Sequence, residues 1–80
     1  MSHLFKTGNI GELSLKNRIV MAPMCMYSSD DSGELKPFHH YHYVSRAVGG
    51  VGFIIVEATA IEPRGRISNA DLGLWDDKQI

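Results

Sequence analysis

Residues 19–27 read Ile-Val-Met-Ala-Pro-Met-Cys-Met-Tyr, and this stretch decides the fold. Its first four residues form a continuous apolar run that does not alternate with polar residues. Such a run is typical of a strand that is covered on both faces in a parallel sheet. Pro23 ends this strand, because proline has no N–H to donate to a sheet. The residues that follow lack periodicity and end in Ser-Ser-Asp-Asp-Ser-Gly, which predicts a loop.

A helix and a second buried strand follow this loop. The helix is predicted over residues 37–48, with a proline in its first turn and a Gly-Gly pair after its last residue. Tyr41, Val44 and Val48 recur at helical spacing and form its apolar face. Residues 52–56, Gly-Phe-Ile-Ile-Val, are rich in β-branched side chains and predict the second strand.

The flanks of this unit complete the order of elements. Upstream, residues 9–10 and 13–15 surround Gly11, which suits the tight turn of a short hairpin. Downstream, residues 60–75 predict a loop, and the acidic residues that open 76–80 predict a helix start. Strands that alternate with helices imply crossover connections and a parallel sheet.

Two parallel strands leave unpaired edges, and a complete (β/α)8 barrel needs about 250 residues. The order of elements therefore indicates the opening of a larger α/β fold. We expect the N-terminal part of a (β/α)8 TIM barrel, namely a bottom hairpin and the first two β/α units.

Composition excludes several classes of protein. The 80 residues are 44% hydrophobic and 21% charged, with a net charge of −1, which argues against a nucleic-acid binder, a polybasic membrane-surface segment and a disordered chain. Cys25 is the single cysteine, so a disulfide framework is excluded and a reducing compartment is expected. The chain shows no apolar signal region, and its longest strongly apolar run, 51–56, is too short to cross a bilayer. A cytoplasmic location is the expectation.

Ligands of α/β proteins lie at the carboxyl ends of the strands, which here are followed by residues 22–27 and 57–59. The Cys25 thiol in the first of these segments suits tuning of a cofactor, nucleophilic attack or metal binding, although a small apolar filler is the commoner role of a free cysteine. Tyr27 suits donation of a hydrogen bond to a substrate carbonyl, and equally an amphipathic surface position.

Three histidines, His39, His40 and His42, invite a metal interpretation, and two of them, His39 and His42, share a helix face. A zinc site requires three or four ligands and supporting groups, and no acidic residue stands at helical spacing among them. We therefore expect no metal site and place these histidines at the surface or at the rim of the core.

The remaining charged candidates have less specific patterns. Arg64 and Arg66 lie on a glycine-containing loop, where solvent exposure or contact with a neighbouring subunit is more plausible than a phosphate site. Glu57 ends a buried strand and needs a partner, since an unpaired buried charge is costly; Arg18 is the candidate. The chain contains neither a glycine-rich dinucleotide fingerprint nor a P-loop.

Nearly the whole chain resembles the old yellow enzyme family, in order and without a large gap. The matching segments begin with Leu-Lys-Asn-Arg-Ile-Val-Met-Ala-Pro-Met-Cys-Met-Tyr and together cover residues 15–27, 43–47, 52–60, 63–68 and 72–77. The Cys-x-Tyr pair is similar to the bacterial thermophilic-like class, which includes NADPH dehydrogenases and ene-reductases. The yeast-type branch has threonine at the position of Cys25.

This resemblance implies a barrel whose bottom is closed by the hairpin and whose mouth holds FMN. NADPH would reduce the FMN, which would pass hydride to an activated alkene such as an enone. The resemblance also implies that Tyr27 helps to hold the substrate carbonyl and that Cys25 adjusts the redox potential. The residues implied to line the flavin are Ala22, Pro23, Met24, Cys25 and Ala58.

The family's substrate-binding histidine pair, tyrosine proton donor and phosphate loops have no counterpart in these 80 residues. We therefore expect no catalytic residue in this chain. Residues 1–80 are expected to be the N-terminal portion of an FMN-binding barrel oxidoreductase domain that is inactive alone and forms a homo-oligomer at full length. Two alternatives remain: a related barrel flavoenzyme of the dienoyl-CoA reductase or amine dehydrogenase type, and a non-catalytic metal-binding βαβ module.

Overall fold

Three pairs of short strands and one helix make up the fold, as seen in a computed structural model that describes residues 2–80. The elements are β1 (Gly8–Ile10), β2 (Leu13–Leu15), β3 (Val20–Met21), α1 (Pro37–Val48), β4 (Phe53–Ile54), β5 (Thr59–Ala60) and β6 (Leu72–Gly73). Strands β1 and β2 are antiparallel, whereas β3 pairs with β4 and β5 pairs with β6 in parallel. Short 3₁₀ helices span His3–Phe5, Pro63–Gly65 and Asp77–Gln79.

The predicted hairpin is confirmed, with Gly8 opposite Leu15 and Ile10 opposite Leu13. Gly11 has a φ of 55°, in the left-handed region that glycine enters without a steric penalty. Leu15, the last residue of the hairpin, is buried, and the chain continues from there to β3.

The two predicted buried strands, β3 and β4, pair with each other in parallel, with Val20 beside Phe53 and Met21 beside Ile54. Helix α1 connects them in the chain. Their regular part is two residues each, shorter than predicted. Asn17 fixes the start of this unit: its Nδ2 donates to the Gly50 carbonyl at 2.6 Å and its Oδ1 accepts the Ile19 N–H at 3.0 Å. A Cβ on Gly52 would lie 2.6 Å from the Asn17 carbonyl oxygen, so the close approach requires glycine.

Helix α1 has the predicted bounds. The predicted apolar face is exposed, with Tyr41 77% and Val48 82% accessible, while His39 and His42 are buried. The histidine side of the helix packs towards β4, because Tyr43 and His39 face Glu57 there. No described residue covers the apolar face.

The prediction of an unbroken loop over residues 60–75 is wrong. Strand β5, which begins one residue before this range, pairs with β6 inside it, with Thr59 beside Leu72 and Ala60 beside Gly73. Two-residue strands are too short to produce an alternating or apolar pattern, so sequence periodicity misses them. The predicted helix start after them is a 3₁₀ turn, in which the Asp76 carboxylate accepts the Lys78 N–H at 3.0 Å.

Apolar burial within residues 2–80 is small. The radius of gyration is 14.9 Å, against about 12 Å for a compact domain of this length. The buried apolar side chains in the described part of the chain are Leu15, Met21 and Leu72. Ile55, at 42% exposure, and Val56, at 50%, remain accessible although they directly follow β4. The sheet therefore presents apolar surface that the described residues leave uncovered.

Within residues 2–80, no helix combines the length and the apolar character that crossing a bilayer requires.

Candidate functional site

The segments that follow β3 and β4 meet at one edge of the sheet, as the parallel pairing requires. The Ile55 N–H donates to the Met21 carbonyl at 3.1 Å and carries the pairing one residue past β4. Beyond it, the Met26 N–H donates to Oε1 of Glu57 at 3.4 Å. The candidate edge therefore consists of residues 22–27 and 57–59, held together by a contact between side chain and backbone.

The side chains at this edge are mostly uncharged and accessible. Ala22, Pro23, Met24 and Ala58 are exposed, and Cys25 is half-buried. The one carboxylate in the two segments belongs to Glu57, which is 3% exposed and turned inward. An accessible apolar surface at the carboxyl ends of parallel strands is the arrangement in which α/β proteins bind flat apolar ligands.

Tyr27 has an unusual backbone conformation. Its φ of 52° is left-handed, which is rare for an aromatic residue, and its side chain is 54% exposed. The flanking residues hold it there: the Ser28 hydroxyl donates to the Met26 carbonyl at 2.9 Å, and the Ser29 N–H donates to the Ala70 carbonyl at 3.0 Å. Strained conformations that persist in this way are concentrated at functional sites.

Glu57 finds its partner in Tyr43, and the predicted pairing with Arg18 is wrong. The Tyr43 hydroxyl donates to Oε2 of Glu57 at 2.6 Å and accepts the Glu57 backbone N–H at 3.0 Å. Arg18 instead donates from Nε to the Thr7 carbonyl at 3.2 Å, beside the hairpin. Helix α1 returns along β4 and brings Tyr43 to the carboxyl end of the strand, whereas Arg18 precedes β3 at the opposite end.

Burial, first, and the hydrogen bond to Glu57, second, raise the pKa of Tyr43 to about 12. The carboxylate stabilises the neutral hydroxyl, which can donate, and opposes the phenolate. Cys25 makes a smaller contribution of the same sign. The Tyr43 hydroxyl therefore keeps its proton at neutral pH and acts as a donor to Glu57.

His39 is completely buried beside the same carboxylate. Its Nδ1 accepts the Lys36 N–H at 2.9 Å, so the ring proton is on Nε2, which lies 3.9 Å from Oε1 of Glu57. His42 is also buried and stacks on Phe38 with ring centroids 5.4 Å apart. The expected surface or rim position is correct for His40 and wrong for the other two histidines, whose burial depends on the strand packed against the helix.

Across residues 2–80, the structure contains no cluster of three or more His, Cys, Asp or Glu side chains suited to hold a metal ion.

The two loop arginines have different environments. Arg64 is exposed, with its Nη2 3.6 Å from Oε1 of Glu62. Arg66 is largely covered: its guanidinium lies 5.5 Å from the centroid of Trp75, and its Nη1 lies 3.7 Å from Oδ1 of Asp31. The expectation of a solvated loop therefore holds for Arg64 and is wrong for Arg66, whose partners come from distant parts of the sequence.

Solved structures with the same fold define the class of protein. The chain superposes on morphinone reductase with a TM-score of 0.85 at 36% identity, covering 95% of this chain and 20% of that one. It superposes on the old yellow enzyme homologue from Zymomonas mobilis with a TM-score of 0.86 at 32% identity, covering 98% and 21%. The fold is therefore that of a segment of old yellow enzymes.

The chain belongs to the NADH:flavin oxidoreductase / NADH oxidase family, whose model matches residues 3–80. It is 60% identical over 78 residues to the NADPH dehydrogenase of Bacillus velezensis, covering 96% of this chain and 23% of that protein. It is also 60% identical over 75 residues to the NADPH dehydrogenase of Clostridium acetobutylicum, covering 94% and 22%. The chain thus spans less than a quarter of these relatives. The predicted family is confirmed.

Proposed function

We propose that residues 1–80 form the N-terminal portion of an FMN-dependent NADPH dehydrogenase of the ene-reductase type, built as a (β/α)8 barrel. Its substrates would be small activated alkenes such as enones. The observation that carries this proposal is the accessible, uncharged edge after β3 and β4, in a chain that is 60% identical to two NADPH dehydrogenases. The incomplete burial of β3, β4 and α1 fits a hairpin and two β/α units whose neighbours belong to the rest of such a barrel.

The residues of the edge fit one wall of a flavin site. A flavin ring needs flat apolar walls and a few aimed polar groups, and Ala22, Pro23, Met24 and Ala58 offer small or apolar side chains to solvent. Because Glu57 is buried and already has hydrogen-bond partners, its charge does not compete for this surface. FMN, when bound, supplies the hydride chemistry between NADPH and the alkene. The Cys25 thiol would lie beside the ring and adjust its redox potential.

Tyr27 would bind the substrate. Its exposed hydroxyl is able to donate a hydrogen bond to the carbonyl oxygen of an enone, which holds that carbonyl in a fixed orientation. Two backbone-directed hydrogen bonds, from Ser28 and Ser29, maintain its left-handed conformation and support this assignment. At full length the protein would act as a homo-oligomer in the cytoplasm.

A chimera tests the proposal. Residues 3–80 replace the matched segment of the Bacillus velezensis NADPH dehydrogenase, and the purified chimera is assayed for bound FMN and for enone-dependent oxidation of NADPH. We expect both, at levels comparable with the unaltered relative. A folded chimera without flavin would contradict the proposal.

A pair of matched substitutions locates the flavin wall within the chimera. Ala58→Leu would place a larger side chain on the proposed wall and lower FMN affinity by about tenfold, whereas Ala47→Leu on exposed α1 surface would leave it unchanged. Equal effects of the two substitutions would remove Ala58 from the wall. The isolated 80-residue chain, mixed with FMN and NADPH, would show no NADPH oxidation; rapid oxidation with bound yellow flavin would refute its predicted inactivity.

A further inference from the structure

Tyr43 and Glu57 form a closed pair of hydrogen bonds at the inner side of the candidate edge. The Tyr43 hydroxyl donates to the carboxylate at 2.6 Å and accepts the backbone N–H of the same residue at 3.0 Å. Tyr43 is carried by α1 and Glu57 lies three residues past β4, so the pair joins the helix to the segment that follows the strand. Because the hydroxyl both donates to and accepts from Glu57, it holds Oε2 of the carboxylate in place.

The other carboxylate oxygen reaches the segment after β3. Oε1 accepts the Met26 N–H at 3.4 Å, and Met26 lies between Cys25 and Tyr27 in the chain. These are the two residues that the proposed function places beside the flavin and the substrate. A shift of the Glu57 carboxylate would therefore move the backbone that carries both of them.

The groups that face Glu57 are all donors. They are the Tyr43 hydroxyl, the Met26 N–H and the protonated Nε2 of His39, which lies 3.9 Å from Oε1. These donors offset the cost of burying the carboxylate. An amide in place of the carboxylate would turn its N–H₂ group either towards the Met26 N–H, which loses that contact, or towards the Tyr43 hydroxyl, which would then have to accept instead of donate.

We propose that Glu57 and Tyr43 are positioning residues, which brace the segment 24–27 against α1 so that Cys25 and Tyr27 keep the geometry required by flavin and substrate. This inference rests on the proposed function, because that function gives the segment its role. Neither residue touches the reacting atoms in this proposal. Their effect passes through the Met26 backbone.

The test uses the chimera with Tyr43→Phe and Glu57→Gln, and with Tyr41→Phe and Glu62→Gln as matched controls on exposed positions. Hydrogen exchange measured by mass spectrometry reports the amides of residues 24–28 and of α1 separately. Both test variants should accelerate exchange at the Met26 amide by about tenfold, which corresponds to about 1.4 kcal/mol, and leave α1 unchanged. The controls should change neither.

A second readout connects the brace to the cofactor. The rate of FMN dissociation should rise in the two test variants and stay unchanged in the two controls. Unchanged Met26 exchange, acceleration that spreads equally over α1, or local acceleration without faster FMN release would each overturn the inference. If the parent chimera binds no FMN, the proposed function fails while the exchange comparison still decides whether the brace exists. Tyr43→Phe removes one hydroxyl group only and keeps the test available if Glu57→Gln does not fold.

Discussion

The segment that follows β4 contains a buried carboxylate with hydrogen-bond partners and, directly beside it, apolar side chains that stay exposed. The Glu57 carboxylate is 3% exposed and receives hydrogen bonds from Tyr43 and Met26. Ile55 and Val56, immediately before it, remain 42% and 50% exposed. The chain therefore supplies the buried Glu57 carboxylate with hydrogen-bond donors and leaves the neighbouring apolar surface uncovered.

This difference follows from the range of the two interactions. A hydrogen bond is satisfied by one correctly placed atom, and a single helix returning over a strand supplies that atom. Apolar burial requires surface on all sides, which two strands and one helix cannot offer. The site can consequently be formed locally, while stability would depend on the further strands and helices of the proposed barrel.

The largest expected effect concerns the isolated chain, which lacks the further strands and helices of the proposed barrel. A domain of this length usually has about 4–12 kcal/mol of stability, but for the isolated 80-residue chain we expect less than about 2 kcal/mol, because its apolar burial is small. Urea unfolding followed by far-UV circular dichroism measures this value. A cooperative transition above about 5 kcal/mol would show that the exposed apolar surface is not a stability deficit.

Shortening an apolar side chain inside the chimera tests whether the exposed apolar residues become buried there. Ile55→Ala should cost about 2–4 kcal/mol there, since the remaining strands would cover Ile55 and the substitution would leave a cavity. Ile61→Ala, at a loop position that is 82% exposed, should cost less than about 1 kcal/mol. Chemical denaturation of both variants measures the difference. Similar losses would mean that Ile55 stays accessible in the chimera.

Removing the Tyr43 hydroxyl tests how much the hydrogen bonds of the buried carboxylate contribute to stability. Tyr43→Phe should lower the stability of the chimera by about 1–3 kcal/mol at pH 7, because it deprives the buried carboxylate of a donor. The pKa of Tyr43 is raised to about 12, above its ordinary value near 10, so the protonated hydroxyl favours the folded state. Its contribution is complete below about pH 10 and is lost as the pH rises towards 12.

The difference in stability between the parent and Tyr43→Phe should therefore narrow between about pH 10 and 12. Urea unfolding of both proteins at several pH values tests this, and the other tyrosines cancel in the comparison. A difference that stays constant over this interval would show that the hydroxyl is not held in its neutral form by the fold.

The smallest expected effect lies on the exposed loop before α1. The Lys36 ammonium, 2.8 Å from the Asp30 carboxylate, holds the pKa of that carboxyl well below its usual range, and hydrogen bonds from Ser32 act in the same direction. Asp30→Asn should lower stability only slightly at neutral pH, and the difference should shrink in about 0.5 M salt and as the pH falls below the usual range of a carboxyl. A large or salt-independent loss in thermal unfolding would contradict this assignment.

Much of the backbone follows from local signals. Pro37 and the Gly-Gly pair at 49–50 mark the ends of α1, and Gly11 marks the hairpin turn, because each restricts or permits particular backbone angles. The two buried strands were predicted from their apolar runs. Strands β5 and β6 were missed, since their pairing depends on residues twelve or more positions apart and not on a local pattern.

The candidate site likewise combines features that the sequence predicts with features that it does not. Its location after β3 and β4 follows from the general rule for parallel sheets, and the family resemblance suggested the residues that line it. The partner of Glu57 was predicted incorrectly, although His39 and Tyr43 stand four residues apart on one helix face and offered a signal. The left-handed φ of Tyr27 had no sequence signal, because an aromatic residue does not favour that conformation.

The amino-acid sequence by itself determined the order of the main elements, the limits of α1 and the family, because turn residues, apolar runs and motif spacing are local properties of the chain. Only the tertiary structure decided that Tyr43 and His39, and not Arg18, meet Glu57, and that the apolar face of α1 is turned outward. Those outcomes depend on how the helix rotates as it packs on β4. That rotation is set by contacts between residues far apart in the chain, which no local pattern specifies.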